Sequence, residues 1–252
     1  MISRKYFHFI LGIIALALAI ASCGGSETPE PITQATEEKV EPVSEAEASV
    51  EEESTEIAPS GMRTFVIVPE ESKASYLVDE EFFEDALSKL GISAGKKDVI
   101  GSTQVIEGQL QINPNDMGQL LGENRFKVDM RTLRTDQERR DNYILDDGPA
   151  FNRFPEATFE ATEVSGLPTS YSDGEEIQFQ MKGILTVHEV PVPITFDVTA
   201  ILDGDTLTGI AETRALMTDF GIEPPNFART LAVADEFGIR VELTAKENTP
   251  AG

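Results

Sequence analysis

The most regular feature of this chain is an alternation of hydrophobic and polar residues. In FKVDMRTL, for example, the hydrophobic side chains of Phe126, Val128 and Met130 are separated by charged ones. This period of two is typical of a β-strand with one buried face, because successive side chains of a strand point to opposite sides. The pattern predicts about eight strands, in KASYLVD, VIEGQLQI, FKVDMRTL, ATFEATEV, IQFQMKGILTV, ITFDVTAIL, TLTGIAET and FGIRVELTA.

Short turn signals separate several of these strands. Asp203-Gly204-Asp205 lies between two alternating runs, and Ser172-Asp173-Gly174 precedes another; both are typical of hairpins. A sheet of long antiparallel strands exposes unpaired edges unless it closes on itself. We therefore predict a mainly β fold, an eight-stranded antiparallel barrel that is closed or nearly closed.

Helical insertions are predicted at three places. DEEFFEDALSKLG has apolar residues at helical spacing and ends at Gly91, a helix stop. TDQERRDNYIL begins with Thr135 and Glu138 at the spacing of a capping box. EPPNFARTLAVA, with its paired prolines, predicts a third short helix.

The amino terminus has the features of a secretory signal. Arg4 and Lys5 precede the apolar run FILGIIALALAIAS, which ends just before Cys23, the single cysteine of the chain. Ile20, Ala21 and Ser22 resemble a bacterial lipobox, which implies cleavage before Cys23 and its lipidation. The alternative is a free thiol in an ordinary signal anchor. We expect a membrane-anchored lipoprotein outside the cytoplasm, in the periplasm or at the cell surface.

Residues 24–60 contain eleven Glu and one Lys, with scarcely any large apolar side chains. Such a segment buries too little surface to fold. It is predicted to be a disordered tether, with an acidic interaction tail as the alternative. The predicted division is a signal peptide (1–22), a lipidated cysteine and tether (23–60), a barrel domain (61–247) and a flexible tail (248–252).

The composition disfavours most other functions. A net charge of −25 opposes nucleic-acid binding. One histidine, His188, follows the signal segment, too few for a zinc site, and no nucleophile elbow or phosphate-binding glycine loop is present. A two-carboxylate glycosidase stays open, although 45 acidic residues make some carboxylate pair nearly inevitable. We expect no enzyme activity, no cofactor and no metal.

His188 is predicted to be a turn residue rather than a catalytic base. It lies between two alternating runs and precedes Pro191 and Pro193, which interrupt regular pairing or mark a strand edge. We expect a hydrogen bond to the backbone or to a carboxylate to hold its ring.

Five segments, in order, resemble the YceI-like family: RTLRTDQERRDNYI, FNRFPEATFEAT, GILTVHEVPVPITFDV, TDFGI and DEFGIRVELTAK. The resemblance extends from about Thr64 to Lys246. It implies a lipocalin-like barrel with an elongated apolar tunnel that binds a long isoprenoid or other amphiphilic lipid chain, for storage or transport outside the cytoplasm. Two positions depart from the family pattern: Tyr143 replaces a histidine, and Glu189 replaces the glycine after the turn histidine.

The candidate ligand-binding residues are inward-facing side chains of the predicted strands and polar groups near one end. The first set is Tyr76, Phe126, Val128, Met130, Phe159, Phe179, Met181, Leu185, Phe196, Val198, Phe237 and Ile239. The second set is Arg140, Asp141, Tyr143 and Asp219. From the spacing alone, these aromatic residues could equally fill the barrel. The alternative function is then a non-enzymatic envelope interaction module, and a homodimer stays open as well.

Overall fold

The structure is a computed structural model, and it describes residues 61–117 and 121–248. The predicted signal peptide, Cys23, the tether and the last four residues lie outside this part of the chain. Within it, the fold is mainly antiparallel β-sheet. The strands are β1 Arg63–Ile67, β2 Lys73–Phe82, β3 Gly95–Thr103, β4 Ile106–Ile112, β5 Leu121–Asp129, β6 Glu156–Ser165, β7 Glu176–Val187, β8 Val190–Asp203, β9 Thr206–Leu216, β10 Asn226–Phe227 and β11 Leu231–Glu247.

Eight of these strands close into a barrel, which confirms the predicted fold class. The order is β1-β4-β5-β6-β7-β8-β9-β11, and β1 pairs with β11 to complete the ring. After a 3-10 turn at Pro69–Glu71, β2 continues along the same edge of β11, with Tyr76 opposite Ile239. β3 then pairs with β2. The first two strands thus act as one long bent strand, as do β3 and β4.

Two helices lie at one end of the barrel. α1 spans Asp85–Leu90 and follows β2, while α2 spans Glu138–Asp146 and follows β5. The 3-10 turn Met130–Thr132 lies between β3 and β6, with the hydroxyls of Thr103 and Thr132 2.6 Å apart. We call this end, with α1, α2 and β10, the helical end. Arg63 and Glu247 lie at the other, the terminal end, where they form an ion pair at 2.6 Å.

The helical predictions are partly right. α2 forms where predicted. The first predicted helix is shorter, because β2 extends to Phe82, whose side chain is buried inside the barrel. The third is wrong: Asn226 and Phe227 form β10, which pairs with the start of β11. Sheet pairing with β2 and β10 gives the TLAVA segment its hydrogen bonds in place of a helix.

His188 and Glu189 form the two-residue turn between β7 and β8, as predicted for His188. Both have positive φ, 55° and 64°, and Val187 pairs with Val190 across the turn. These angles are those of a type I′ hairpin turn. The ring of His188 packs on Phe154, with centroids 3.7 Å apart, and within the described part of the chain the predicted hydrogen bond does not form.

The prolines of β8 are accommodated at an edge. Pro191 and Pro193 pair with β7, and the register of β8 with β9 begins later, at Asp197. Counting from the turn, both prolines fall at positions whose N–H would point away from β7. Their missing donors therefore cost no ladder hydrogen bond.

Candidate functional site

The barrel encloses a cavity of about 1080 Å³. Ligand pockets usually measure about 300–1,000 Å³, so this cavity is large enough for an extended chain. Inward-facing side chains of the barrel strands form its wall. Two buried hydrophobic clusters contribute to that wall, one around Leu110 and Leu202, the other around Phe159 and Phe196.

The predicted lining residues come together on the wall of this cavity. They are Tyr76, Phe126, Val128, Met130, Phe159, Phe179, Met181, Leu185, Phe196, Val198, Phe237 and Ile239, joined by Arg140 and Tyr143. Their contribution to ligand binding stays a prediction. Alternation alone brought these side chains to one surface, because the inward face of every strand in a closed barrel points to the same interior.

Aromatic rings pack along the wall instead of filling the interior. Phe159 meets Phe196 edge-on with centroids 5.1 Å apart, and Phe126 lies 6.2 Å from Phe159. Such contacts fix the rings against one another. The wall also includes Met130 and Met181, whose flexible side chains can adapt to a guest of irregular shape.

The helical end carries the mouth of the cavity. Six lining residues that are exposed to solvent lie there: Lys89, Arg139, Asn142, Asp146, Asp147 and Phe227. At the terminal end, by contrast, hydrogen bonds join β1 and the segment between β6 and β7 to the end of β8 and the turn after it. The Arg63 guanidinium donates to the Gly204 carbonyl at 2.5 Å, and the Tyr171 hydroxyl donates to the Leu202 carbonyl.

Tyr143 and Phe227 meet over the mouth. Their rings are in edge-on contact with centroids 5.1 Å apart, so they join α2 to β10. Burial, followed by the charges of Asp147 and Glu223, raises the pKa of Tyr143. The Tyr143 hydroxyl therefore stays protonated at neutral pH and offers a neutral polar group beside the entrance.

A buried ion pair lies on the cavity wall near the mouth. Glu80, on β2, accepts two hydrogen bonds of 2.8 Å from the guanidinium of Arg140, on α2. Asp136 accepts a third at 2.7 Å. Burial opposes the charge of Arg140, but the hydrogen bonds and charges of Glu80 and Asp136 outweigh it and raise the Arg140 pKa. This pair fixes α2 to the barrel.

Tyr76 lies across β3, next to the ion pair. Its ring occupies the space where Gly101 would otherwise carry a Cβ, so Gly101 accommodates the tyrosine. Among the described residues, the Tyr76 hydroxyl is buried without a hydrogen-bond partner. Burial raises its pKa, and the charge of Arg140 acts in the opposite direction.

Two of the predicted polar residues lie away from the cavity. The Asp141 side chain is buried, but its Oδ1 accepts hydrogen bonds from the Thr135 amide at 2.9 Å and hydroxyl at 2.7 Å, which fixes the chain entering α2. Asp219 is exposed in the 3-10 turn Met217–Phe220. Adjacent positions on a helix face different directions, so Arg140 lines the cavity and Asp141 does not.

Sequence reasoning missed two important residues of the mouth. Glu80 follows Tyr76 and Val78 at period two, so the alternation of β2 would have placed it inside the barrel, but its charge argued for the surface. Phe227 was assigned to a helix that does not form. Neither the ion pair of Glu80 nor the contact of Phe227 with Tyr143 has a local sequence signal, because both join distant segments.

Residues 61–117 and 121–248 contain neither a cluster of metal-ligating side chains nor a helix that could span a membrane. In this part of the chain, no group of three or more His, Cys, Asp or Glu side chains is placed to hold a metal ion. No helix there has the length and hydrophobicity to cross a membrane.

Comparison with known proteins identifies the family. A model of the YceI-like domain matches residues 65–245. Burkholderia cenocepacia BcnA has 17% sequence identity and a TM-score of 0.52, over 71% of this chain and 99% of BcnA. A polyisoprenoid binding domain from Saccharophagus degradans, implicated in plant cell wall breakdown, has 12% identity and a TM-score of 0.51, over 74% of this chain and 99% of that domain. No curated protein matched. The family match covers nearly the whole barrel, and the chain belongs to the YceI-like domain family.

Proposed function

We propose that the barrel binds a long apolar lipid chain, of the isoprenoid type or a related amphiphile, inside its cavity. The observation that carries this proposal is the cavity of about 1080 Å³ with its largely apolar wall. The ligand named for the Saccharophagus degradans domain supports the choice of a polyisoprenoid. The proposed role is storage or transport of this lipid, without catalysis.

The energetics favour a long chain over a small molecule. Each CH2 group that leaves water contributes about 0.8 kcal/mol. Association costs at least about 4 kcal/mol in lost translational and rotational freedom. A chain of ten or more carbons would exceed this cost even when part of the gain is lost to ordering of the chain.

The second candidate, an interaction module with a filled barrel, has less support. A filled barrel would place the rings of Phe126, Phe159 and Phe196 in a continuous core. Here these rings lie on the wall around the cavity. The candidates differ in what a bulky inward substitution does, and this difference supplies the test.

Val128→Trp tests binding in the cavity, with Lys127→Trp as its matched control on the same strand. Val128 lines the cavity, whereas Lys127 forms ion pairs with Glu107 and Glu156 on the outer surface. We expect Val128→Trp to weaken binding of a fluorescent polyisoprenoid at least about tenfold, since the indole displaces part of the chain. Lys127→Trp should bind as the parent does.

The stability of the Val128→Trp variant separates the two candidates. In a filled core the added bulk would lower the free energy of unfolding by about 1–3 kcal/mol. In a cavity it should cost less than about 1 kcal/mol, measured by urea denaturation. A variant that unfolds readily while the parent shows no lipid binding would favour the interaction module.

We also propose that Cys23 is lipidated and anchors the chain outside the cytoplasm. Its position directly after the apolar run, with no second cysteine in the chain, supports this part of the proposal. More than one acyl chain on Cys23 would give stable anchoring. Cys23→Ser should therefore move the protein from the membrane fraction to the soluble fraction. Retention in the membrane would instead indicate an uncleaved signal anchor.

A further inference from the structure

Large apolar side chains are exposed beside the mouth of the cavity. On α1, Ala86 is fully buried and fixes the helix, while Leu87 points outward with 62% of its surface exposed. Leu90 and Ile92, on the same segment, are half-buried and line the cavity. Phe227, on β10, is 43% exposed. An apolar surface therefore continues from the cavity wall onto the outside of the helical end.

The chain enters and leaves the barrel at the opposite end. β1 begins at Arg63 and β11 ends at Glu247, and the amide of Asn248 donates to the carbonyl of Thr64 at 2.7 Å. Among the described residues, then, both chain ends lie at the terminal end. The helical end is the part of the barrel farthest from both chain ends, measured along β11. Leu87 lies at the helical end and is exposed.

Cationic side chains flank the apolar ones. The side chain of Arg229 is 82% exposed and forms an ion pair with Asp85 at 3.3 Å. The amine of Lys89 donates a hydrogen bond to the Thr230 hydroxyl at 3.2 Å. Long basic side chains beside apolar ones suit a phospholipid interface, since their stems are apolar and their ends reach the phosphates. The chain as a whole carries −25, which opposes a strongly anionic surface.

We propose that the helical end docks on a zwitterionic phospholipid bilayer, with Leu87 and Phe227 entering the interface. This inference rests on the proposed function, because a lipid ligand resides in a bilayer before it is bound. A mouth pressed against the bilayer lets the apolar chain enter the cavity without crossing water, and transfer through water becomes slower with every exposed CH2 group. The docking surface is defined by Leu87, Leu90, Ile92 and Phe227.

The absence of tryptophan from the chain permits a clean test of docking. Leu87→Trp places a single reporter on the docking surface. Val66→Trp is the matched control, because Val66 is 43% exposed on β1, toward the terminal end. Both reporters are placed in the chain without its signal peptide and with Cys23→Ser. When phosphatidylcholine vesicles are added, we expect the tryptophan fluorescence emission of Leu87→Trp to shift to shorter wavelength. The control should not shift.

Two results of this test would overturn the inference. One is an equal response, or none, from both reporters. The other is a shift that develops without vesicles as the protein concentration rises, because this would identify a second copy of the chain as the occupant of the docking surface.

A transfer assay separates docking from ligand binding. Leu87 does not line the cavity, so Leu87→Glu should leave equilibrium binding of a detergent-dispersed fluorescent polyisoprenoid unchanged. Transfer from phosphatidylcholine vesicles should slow at least about tenfold, because a charge enters the interface poorly. Val66→Glu should alter neither quantity. Unchanged transfer by Leu87→Glu would overturn docking and leave the proposed function intact, whereas a parent protein that binds no lipid would overturn both.

Discussion

At the scale of single residues, the least expected feature is an ion pair in the wall of an apolar cavity. The side chains of Glu80 and Arg140 are only 5% and 11% exposed. Removing two charges from water is costly, and their mutual attraction compensates only when the hydrogen bonding is nearly complete. The paired geometry and the additional contact with Asp136 meet this condition. We interpret the pair as a device that fixes α2 over the barrel wall.

Removing one partner of this pair should be far more damaging than removing both. Glu80→Leu leaves the Arg140 charge poorly compensated, and we expect the free energy of unfolding to fall by about 3 kcal/mol. The double variant Glu80→Leu with Arg140→Met replaces the pair by apolar side chains and should recover most of this loss. Urea denaturation of both variants checks the prediction. A double variant that loses as much stability as Glu80→Leu alone, or more, would contradict this account of the pair.

The turn after β7 offers a gain in stability. Glu189 has a φ of 64°, in the left-handed region, where residues with a Cβ are strained by about 1–2 kcal/mol. Glu189→Gly should therefore raise the free energy of unfolding by about 1 kcal/mol. Glu189→Ala keeps the Cβ and serves as the control. Equal thermal stability of the two variants would contradict this account of the turn.

At the scale of elements, the mouth is formed by parts that the barrel does not require. α2 and β10 meet there through the contact of Tyr143 with Phe227, whereas the strands close the ring without them. Exposed segments that contribute few buried contacts open more readily than a barrel core. The mouth is therefore the place where passage of a ligand can be regulated without disturbing the sheet.

Loosening the mouth should accelerate exchange of the ligand. Phe227→Ala removes the edge-on contact with Tyr143 and should increase the dissociation rate of a fluorescent polyisoprenoid about threefold or more. Val66→Ala, at an exposed position of β1, is the control. Stopped-flow displacement by an excess of unlabelled, detergent-dispersed polyisoprenoid measures both rates without any contribution from docking on vesicles. An unchanged rate for Phe227→Ala would mean that the aromatic pair does not limit exchange.

The strands were far more predictable than the segments between them. Eight strands follow from alternation, but β1 and β3 do not, because RTFVI is too short and the glycines and lysines of GKKDVIGST break the pattern. The first predicted helix is too long, since the apolar residues of FFEDALSKL recur at helical spacing from Phe82 onward and only pairing with β11 assigns Phe82 to a strand. Local pattern decides which face of a strand is buried, whereas boundaries depend on partners that are distant in sequence.

The same limit explains the site. Its apolar residues were found because they repeat along strands, and its polar residues were found only in part. Arg140 and Tyr143 line the cavity, while Asp141 faces Thr135 instead. The ion pair between Arg140 and Glu80 determines which side of α2 faces the barrel. These two residues are 60 positions apart in sequence, so no local spacing pattern predicts their contact.

At the scale of the whole molecule, a hollow barrel should depend on its guest for part of its stability. A ligand that binds only the folded state stabilises it by about 2.7 kcal/mol when present at 100 times its dissociation constant. Extraction of the bound lipid should therefore lower the midpoint of thermal unfolding, and adding lipid back should restore it. Val128→Trp, with the cavity partly filled, should respond much less. Calorimetry before and after extraction checks this prediction.

The central claim is that a lipid chain occupies the barrel, and native mass spectrometry tests it most directly. The barrel, residues 61–252, would be purified without detergent, and its mass compared before and after extraction with organic solvent. We predict one additional mass per chain, lost on extraction and identifiable as an isoprenoid or another long apolar chain. A mass equal to the protein alone, unchanged after exposure to added polyisoprenoids, would contradict the lipid-binding account.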